Sequence, residues 1–142
     1  MVCTFFGHRQ IHKDISELIE NAVVNIMEKE NVDMFYVGNN GVFDKTVLDV
    51  LKKLKEKYPY IDYAVVLAYL PKNTDKKEDY IHTIYPEGLE KTPPRFAIVR
   101  RNQWMIDRSD YVIAYVKTIG GAKQFMELAQ DKGKTVINLA DE

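Results

Sequence analysis

The sequence predicts an α/β fold in which one doubly wound parallel sheet has helices on both faces. Short runs that are apolar throughout recur along the chain, and segments with a helical repeat of apolar residues separate them. Uninterrupted apolar runs suit strands that are buried on both faces of a parallel sheet. Strands that alternate with helices indicate consecutive strand-helix-strand units. We therefore expect about five parallel strands with flanking helices, in one domain spanning residues 1–142.

Five apolar runs predict the strands, and one long stretch interrupts their alternation with helices. Residues 70–94 are polar and contain prolines. Because this stretch is longer than an ordinary connection, we expect a functional or a disordered loop there. The predicted strands are VCTFF (2–6), DMFYV (33–37), DYAVVLAY (62–69), YVIAYV (111–116) and TVINLA (135–140).

Four segments between these runs predict the covering helices. The first repeats apolar residues on one stripe between Ile15 and Met27. The second carries an apolar stripe from Val47 to Leu54 and stops before Pro59, because proline cannot continue a helix. The third and fourth helices are expected over residues 95–108 and 122–132.

Composition and charge argue against several classes of protein. The chain has 20 Lys and Arg against 21 Asp and Glu, whereas nonspecific binding of nucleic acid needs a surplus of cations. No apolar run has the length of a membrane span or of a secretory signal, so we expect no membrane partner. The single Cys3 cannot form an internal disulfide, and the three His lack the spacing of a metal site. We expect a cytoplasmic protein without a metal or cofactor.

Three of the predicted strands end in loops that combine glycine with polar residues. Parallel strands bring their carboxyl ends to one edge of the sheet, where the free N–H groups of helix N-termini also collect. The three loops are therefore expected to meet and form a site. Taken singly, each loop can also be an ordinary tight turn, since glycine is common there. The loops contain Gly7, His8 and Arg9; Gly38, Asn39, Asn40 and Gly41; and Thr118, Ile119, Gly120, Gly121 and Ala122.

The side chains of these loops suit an anionic ligand. Arg9 can form two parallel hydrogen bonds with a phosphate or carboxylate group. Asn39 and Asn40 can hydrogen-bond to a ribose or to the edge of a base. Gly120 and Gly121 let the backbone approach an oxygen atom closely, at the positive end of the following helix.

The third predicted helix adds a polar face to this candidate site. Residues three and four positions apart share one face of a helix, and a purely apolar core stripe would not need Arg101 or Asn102. The alternative is that Arg101 pairs at the surface with a carboxylate such as Asp107 or Glu87. The shared face consists of Ile98, Arg101, Asn102 and Met105.

Four stretches of the chain resemble, in order and spacing, the motifs of the SLOG superfamily of Rossmann-like proteins. They are CTFFGHR, GNNGVFD, RNQWMIDRSDYVIAYV and GGAKQFMELAQDKGKTVINL. The segment YPEGLEKTPPRFAI is similar to small standalone members of bacteria and their phages, and the resemblance covers nearly the whole chain.

The resemblance implies binding of a nucleotide or a nucleotide-derived ligand, such as an ADP-ribose-type signal, by a homo-oligomer. The residues that it places around the ligand are Gly7 to Arg9, Gly38 to Asp44 with Phe43 included, Arg101, and Gly120 to Lys123.

A second function is implied because the superfamily includes phosphoribohydrolases. A protein with this activity cleaves nucleoside 5′-monophosphates to base and ribose 5-phosphate. In this chain, Glu127 would be the acid or nucleophile and Arg101 would orient the sugar phosphate. The loop TIGGAKQFMELA lacks the proline and the Gly-Thr pair of these enzymes, and Glu127 falls one position beyond their glutamate. We therefore expect a nucleotide-binding protein rather than an enzyme.

Overall fold

A single parallel sheet with helices on both faces makes up the described part of the protein. The computed structural model describes residues 1–71 and 82–141. The strand order is β4-β3-β2-β1-β5-β6, and every neighbouring pair is parallel. The α/β fold class predicted from the sequence is confirmed. The strands are β1 (Val2–Gly7), β2 (Met34–Val37), β3 (Asp62–Val66), β4 (Thr83–Ile84), β5 (Tyr111–Tyr115) and β6 (Thr135–Asn138).

The helices divide between the two faces of the sheet. Around α1 and α2 lies the larger apolar core, which includes Ile19, Leu51 and Phe35. A smaller cluster, which includes Met105 and Ile106, forms under α3 and α4. None of the described helices has the length and apolar composition needed to cross a membrane. The helices are α1 (Ser16–Glu30), α2 (Val42–Lys57), α3 (Ala97–Asp107) and α4 (Gly121–Asp131).

The described residues contain six strands where about five were expected. The additional strand, β4, lies inside the segment predicted to be a loop, where Thr83 and Ile84 pair with Val65 and Val66. Two residues are too few to produce a recognisable apolar pattern. The part of the predicted loop at residues 72–81 lies outside the described residues. β3 is shorter than expected and ends at Val66, whose carbonyl accepts a hydrogen bond from Arg101.

The strand order reverses between β1 and β5. From β1 the chain adds β2, β3 and β4 on one side, and it then returns to place β5 and β6 on the other side. Gly7 pairs with Tyr115 at the carboxyl ends of the two central strands. Loops that leave neighbouring strands in opposite directions open a crevice, and ligands of open α/β sheets bind there. The topology therefore puts a crevice immediately beyond Gly7 and Tyr115.

Candidate functional site

Hydrogen bonds connect the three loops that were expected to meet. The Val42 N–H donates to the Arg9 carbonyl at 2.8 Å, which joins the start of α2 to the loop after β1. The Lys117 N–H donates to Nε2 of His8 at 2.8 Å, which joins the loop after β5 to the same segment. The His8 ring also meets the ring of Tyr115 edge-on. His8 therefore has a role in holding two loops together.

Two glycines allow this close approach. Gly41 has φ of +96°, and a Cβ at this position would lie 2.6 Å from Cα of Arg9. Such a contact is too short for any side chain, and the backbone conformation also favours glycine. At Gly7 a Cβ would overlap the ring of Phe43, which is fully buried at the start of α2. Both positions therefore require glycine for packing.

Arg101 lies at the centre of the site and is only 1% exposed. Its Nε donates to Oδ1 of Asn102 at 2.7 Å, and its Nη1 donates to the Val66 carbonyl at 2.9 Å. Nη1 also donates to Oδ1 of Asn39 at 3.2 Å, and Nη2 donates to Oδ1 of Asn40 at 2.6 Å. All four acceptors are neutral oxygens. Among the described residues, no carboxylate forms an ion pair with this guanidinium.

Among the residues that the structure describes, Arg101 pairs with no surface carboxylate, and the two partners suggested from the sequence, Asp107 and Glu87, are wrong. Asp107 pairs with Lys132 instead. Glu87 is exposed at the surface, whereas the Arg101 side chain is buried between α3 and the carboxyl end of β3. Arg101 is therefore a buried cation that faces the crevice.

Asp44 approaches the same cluster from the first turn of α2. Its Oδ2 accepts a hydrogen bond from the Asn40 N–H at 2.9 Å. A Cβ at Gly38 would lie 2.9 Å from this oxygen and 3.0 Å from Cζ of Arg101, so the glycine lets both side chains approach the turn. Burial raises the pKa of Asp44 to about 6, although the Asn40 N–H and the charges of Arg101 and Arg9 lower it.

The same environment shifts the pKa of the Arg101 guanidinium in the opposite direction. Burial lowers the pKa of Arg101 from its ordinary value, and the charge of Asp44 partly opposes this shift. Arginine starts from so high a pKa that it stays protonated near neutral pH. The site therefore combines a permanent buried cation with a carboxyl group that titrates near neutral pH.

A cavity of about 200 Å³ opens beyond the carboxyl ends of β1 and β5, and we call it the crevice cavity. Residues from all three loops and from α3 line it, as the sequence predicted for a shared pocket. The residues that were predicted for the site and that line this cavity are Gly7, His8, Arg9, Asn40, Asp44, Ile98, Arg101, Asn102, Met105, Gly121 and Ala122.

Several predicted residues lie outside the crevice cavity. Phe43 is buried in the core, and Gly38, Asn39 and Gly41 line a different cavity beside the glycine turn. Gly120 precedes α4 and is absent from the lining.

The two charged residues that were expected on α4 also lie outside the lining. Lys123 and Glu127 form an ion pair with each other, with an N–O distance of 3.8 Å. The Glu127 side chain is 54% exposed. The structure therefore does not bring Glu127 together with Arg101.

Three aromatic residues of the lining were not named as site residues. Phe5 and Phe6 belong to β1, and Phe125 belongs to α4. The rings of Phe6 and Phe125 stack with their centroids 5.6 Å apart. A signal for Phe125 exists in the sequence, since it follows Gly121 by four positions and Ala122 by three, and it therefore shares their face of α4.

The arrangement suits a ligand with an anionic end. Arg101 and Arg9 supply positive charge, and the start of α4, whose first N–H groups have no partner within the helix, lines the cavity with Gly121 and Ala122. Comparison with known protein-family models and with curated proteins finds no match to this chain. The resemblance to the SLOG superfamily therefore stays a prediction.

Proposed function

We propose that the protein binds a nucleotide or a nucleotide-derived ligand, such as an ADP-ribose-type molecule, in the crevice cavity. The observation that carries the proposal is the buried Arg101, whose four hydrogen-bond acceptors in the described part of the chain are all neutral. Asp44 acts on this cation through its charge, but among the described residues no carboxylate forms an ion pair with it. An anionic group of a ligand would supply a direct ion pair with the guanidinium.

The rest of the lining supports a phosphate as that anionic group. The Arg9 side chain is exposed at the cavity, and the N-terminus of α4 opens into it at Gly121 and Ala122. Backbone N–H groups at a helix N-terminus bind phosphate together with the positive end of the helix dipole. The resemblance of these same loops to SLOG motifs favours a nucleotide-derived ligand over an unrelated anion.

The position of Glu127 favours binding over hydrolysis. A catalytic carboxyl group must come within hydrogen-bond reach of the reacting ribose or its water. Glu127 lies on the exposed side of α4, in an ion pair with Lys123, and does not line the cavity. A ligand held at Arg101 would therefore not meet the carboxylate that the phosphoribohydrolase alternative requires.

Self-association forms part of the proposal, and α3 offers the surface for it. Phe96 and Val99 are 46% and 41% exposed at the start of this helix. Trp104, further along this helix, packs on Tyr36 and under the guanidinium of Arg108. Light scattering on the purified protein measures the assembly state, and a monomer at all concentrations would contradict this part.

The test of the proposed function is calorimetric titration and thermal shift with ADP-ribose and the four common ribonucleoside 5′-monophosphates. We expect saturable binding of at least one compound and a matching rise in Tm, because a ligand that binds only the native state stabilises it. The variant Arg101→Met should lose this binding, and Arg100→Met, on the exposed side of the same helix, should keep it. No binding of any compound by the wild type would overturn the proposal.

A further inference from the structure

A second cavity lies beside the glycine turn and the first two turns of α2. Its volume is about 330 Å³, and we call it the turn cavity. It is lined by Gly38, Asn39, Gly41, Asp44, Lys45 and Leu48. Asp44 lines both this cavity and the crevice cavity. The Asp44 carboxyl group therefore stands at the junction of the two.

The size of the crevice cavity argues for a ligand that continues beyond it. Pockets for drug-sized ligands typically have volumes of roughly 300 to 1,000 Å³. The crevice cavity, at about 200 Å³, is below this range and has room for one part of a nucleotide. Since Asp44 is common to both cavities, a ligand that passes this residue reaches the additional volume beside the turn.

The lining of the turn cavity suits a planar base. The half-buried Leu48 and the methylene groups of Lys45 form an apolar surface, on which a flat ring can lie. Oδ1 of Asn39 is held by Arg101, so the amide NH₂ group of Asn39 remains as a hydrogen-bond donor. An acceptor atom on the edge of a base would complement this donor.

Asp44 is placed to receive the sugar that joins phosphate and base. Its Oδ2 already accepts the Asn40 N–H, and a carboxylate has further lone pairs for the hydroxyl groups of a ribose. Arg101 and Arg9 are the charged groups that act on it. Their attraction does not offset its burial, so additional donors from a ligand would stabilise the ionised form.

We propose that the ligand is a ribonucleotide-type molecule that bridges both cavities, with phosphate in the crevice cavity, base in the turn cavity and a ribose hydroxyl bound to Asp44. The inference rests on the proposed function and adds the orientation of the ligand, the subsite for the base and a preference for ribose over 2′-deoxyribose. A hydrogen bond to a charged acceptor contributes about 1.5 to 3 kcal/mol, so removing one hydroxyl should weaken binding by roughly 10- to 100-fold.

The experiment compares three probes by calorimetric titration. They are the tightest-binding of AMP, GMP, CMP and UMP, its 2′-deoxy counterpart, and ribose 5-phosphate. The variant Lys45→Trp fills the turn cavity from an exposed position on α2, and Lys52→Trp is the matched control on the same helix, away from both cavities. Both variants remove one positive charge and add the same ring.

We expect Lys45→Trp to weaken binding of the ribonucleotide by about 10-fold and binding of ribose 5-phosphate by less than about 2-fold. Lys52→Trp should change neither. The 2′-deoxynucleotide should bind the wild type at least about 10-fold more weakly than the ribonucleotide. Circular dichroism and Tm verify that both variants are folded.

Failure of this inference and failure of the proposed function give different results. If the ribonucleotide binds but Lys45→Trp leaves its affinity unchanged, or weakens ribose 5-phosphate equally, the base subsite is overturned. If the 2′-deoxynucleotide binds as tightly as the ribonucleotide, the role of Asp44 is overturned. If none of the probes binds the wild type, this inference is overturned, and if ADP-ribose also fails to bind, the proposed function is overturned with it.

Discussion

Nη2 of Arg101 donates to Oδ1 of Asn40 at 2.6 Å, across 61 positions of the sequence. This hydrogen bond connects α3, which covers one face of the sheet, to the glycine turn that begins α2 on the other face. Both elements meet only beyond the carboxyl end of the sheet, because the strands separate them elsewhere. The crevice is therefore held together by the same cation that is proposed to bind the ligand.

Removal of Arg101 should destabilise the fold as well as abolish binding. In Arg101→Met, four oxygens lose the hydrogen bond that the guanidinium donates to them. They are the Val66 carbonyl and Oδ1 of Asn39, Asn40 and Asn102. Buried acceptors left without a partner cost about 1 to 3 kcal/mol, so we expect the free energy of unfolding in urea to fall by roughly 2 to 3 kcal/mol.

The matched control for this variant is Arg100→Met. Arg100 is exposed one position earlier on α3, and its replacement should change the free energy of unfolding by less than about 0.5 kcal/mol. Equal effects of the two substitutions would show that the buried hydrogen bonds of Arg101 contribute nothing specific.

Gly7→Ala should destabilise the protein by overpacking. A Cβ at this position overlaps the ring of Phe43, which is 0% exposed. Extra methyl groups in a packed core cost about 1 to 3 kcal/mol, and urea unfolding measures this loss. Gly121→Ala is the control, because no atom lies within 4 Å of a Cβ built there. If the smaller side chain of Phe43→Leu does not recover part of the loss in a double variant, the steric explanation is wrong.

Asp44→Asn should stabilise the protein at neutral and alkaline pH. The folded state raises the pKa of Asp44 from 3.8 to about 6, so the folded protein holds this proton more tightly than the unfolded chain does. The stability that this more tightly bound proton contributes to the folded state is present below about pH 4 and is lost as the pH rises through about 6. Above pH 7, asparagine therefore avoids a cost of roughly 2 to 3 kcal/mol.

The pH dependence is measured by urea unfolding of wild type and Asp44→Asn at pH 4 and pH 8. The difference between the two proteins should be near zero at pH 4 and largest at pH 8. A loss of stability at pH 8, or an equal gain at both values, would contradict the raised pKa. Loss of ligand binding together with higher stability would be typical of a functional residue held in an unfavourable environment.

Glu127→Gln should leave ligand binding within about 2-fold of the wild type. Glu127 is exposed and pairs with Lys123 at 3.8 Å, outside the crevice cavity. An exposed ion pair of this kind contributes about 0.2 to 1 kcal/mol to stability, so the free energy of unfolding should hardly change either. Titration of both proteins with the same nucleotide is the measurement. A large loss of affinity in Glu127→Gln would place this carboxylate at the ligand after all.

Much of the architecture could be predicted because its causes are local. Apolar runs such as YVIAYV identified a central strand, and Pro59 marked the end of the second helix, which the structure ends at Lys57. The convergence of the three glycine loops followed from the direction of parallel strands. The strand β4 could not be predicted, since Thr83 and Ile84 carry no pattern of their own.

The candidate site was predictable in its residue types but not in its contacts. The polar face of the third helix singled out Arg101 and Asn102, yet the carboxylates suggested as partners, Asp107 and Glu87, were wrong. No sequence pattern could show that the Val66 carbonyl accepts a hydrogen bond from Arg101, because every residue has a backbone carbonyl whatever its side chain. Glu127 was chosen through a family motif, and its orientation on α4 depends on which face of that helix the sheet covers.

The amino-acid sequence was therefore sufficient for the fold class, the three loops and the chemical character of their side chains, because periodicity and glycine chemistry act over a few residues. Only the tertiary structure decided that Arg101 is buried among neutral oxygens and that the Asp44 carboxyl is shared by two cavities. Both features depend on the desolvation and charge that distant segments impose when they pack together. Burial of this kind is a property of the packed chain. It is the reason that Asp44, beside the glycine turn, is a candidate residue for binding a ribose.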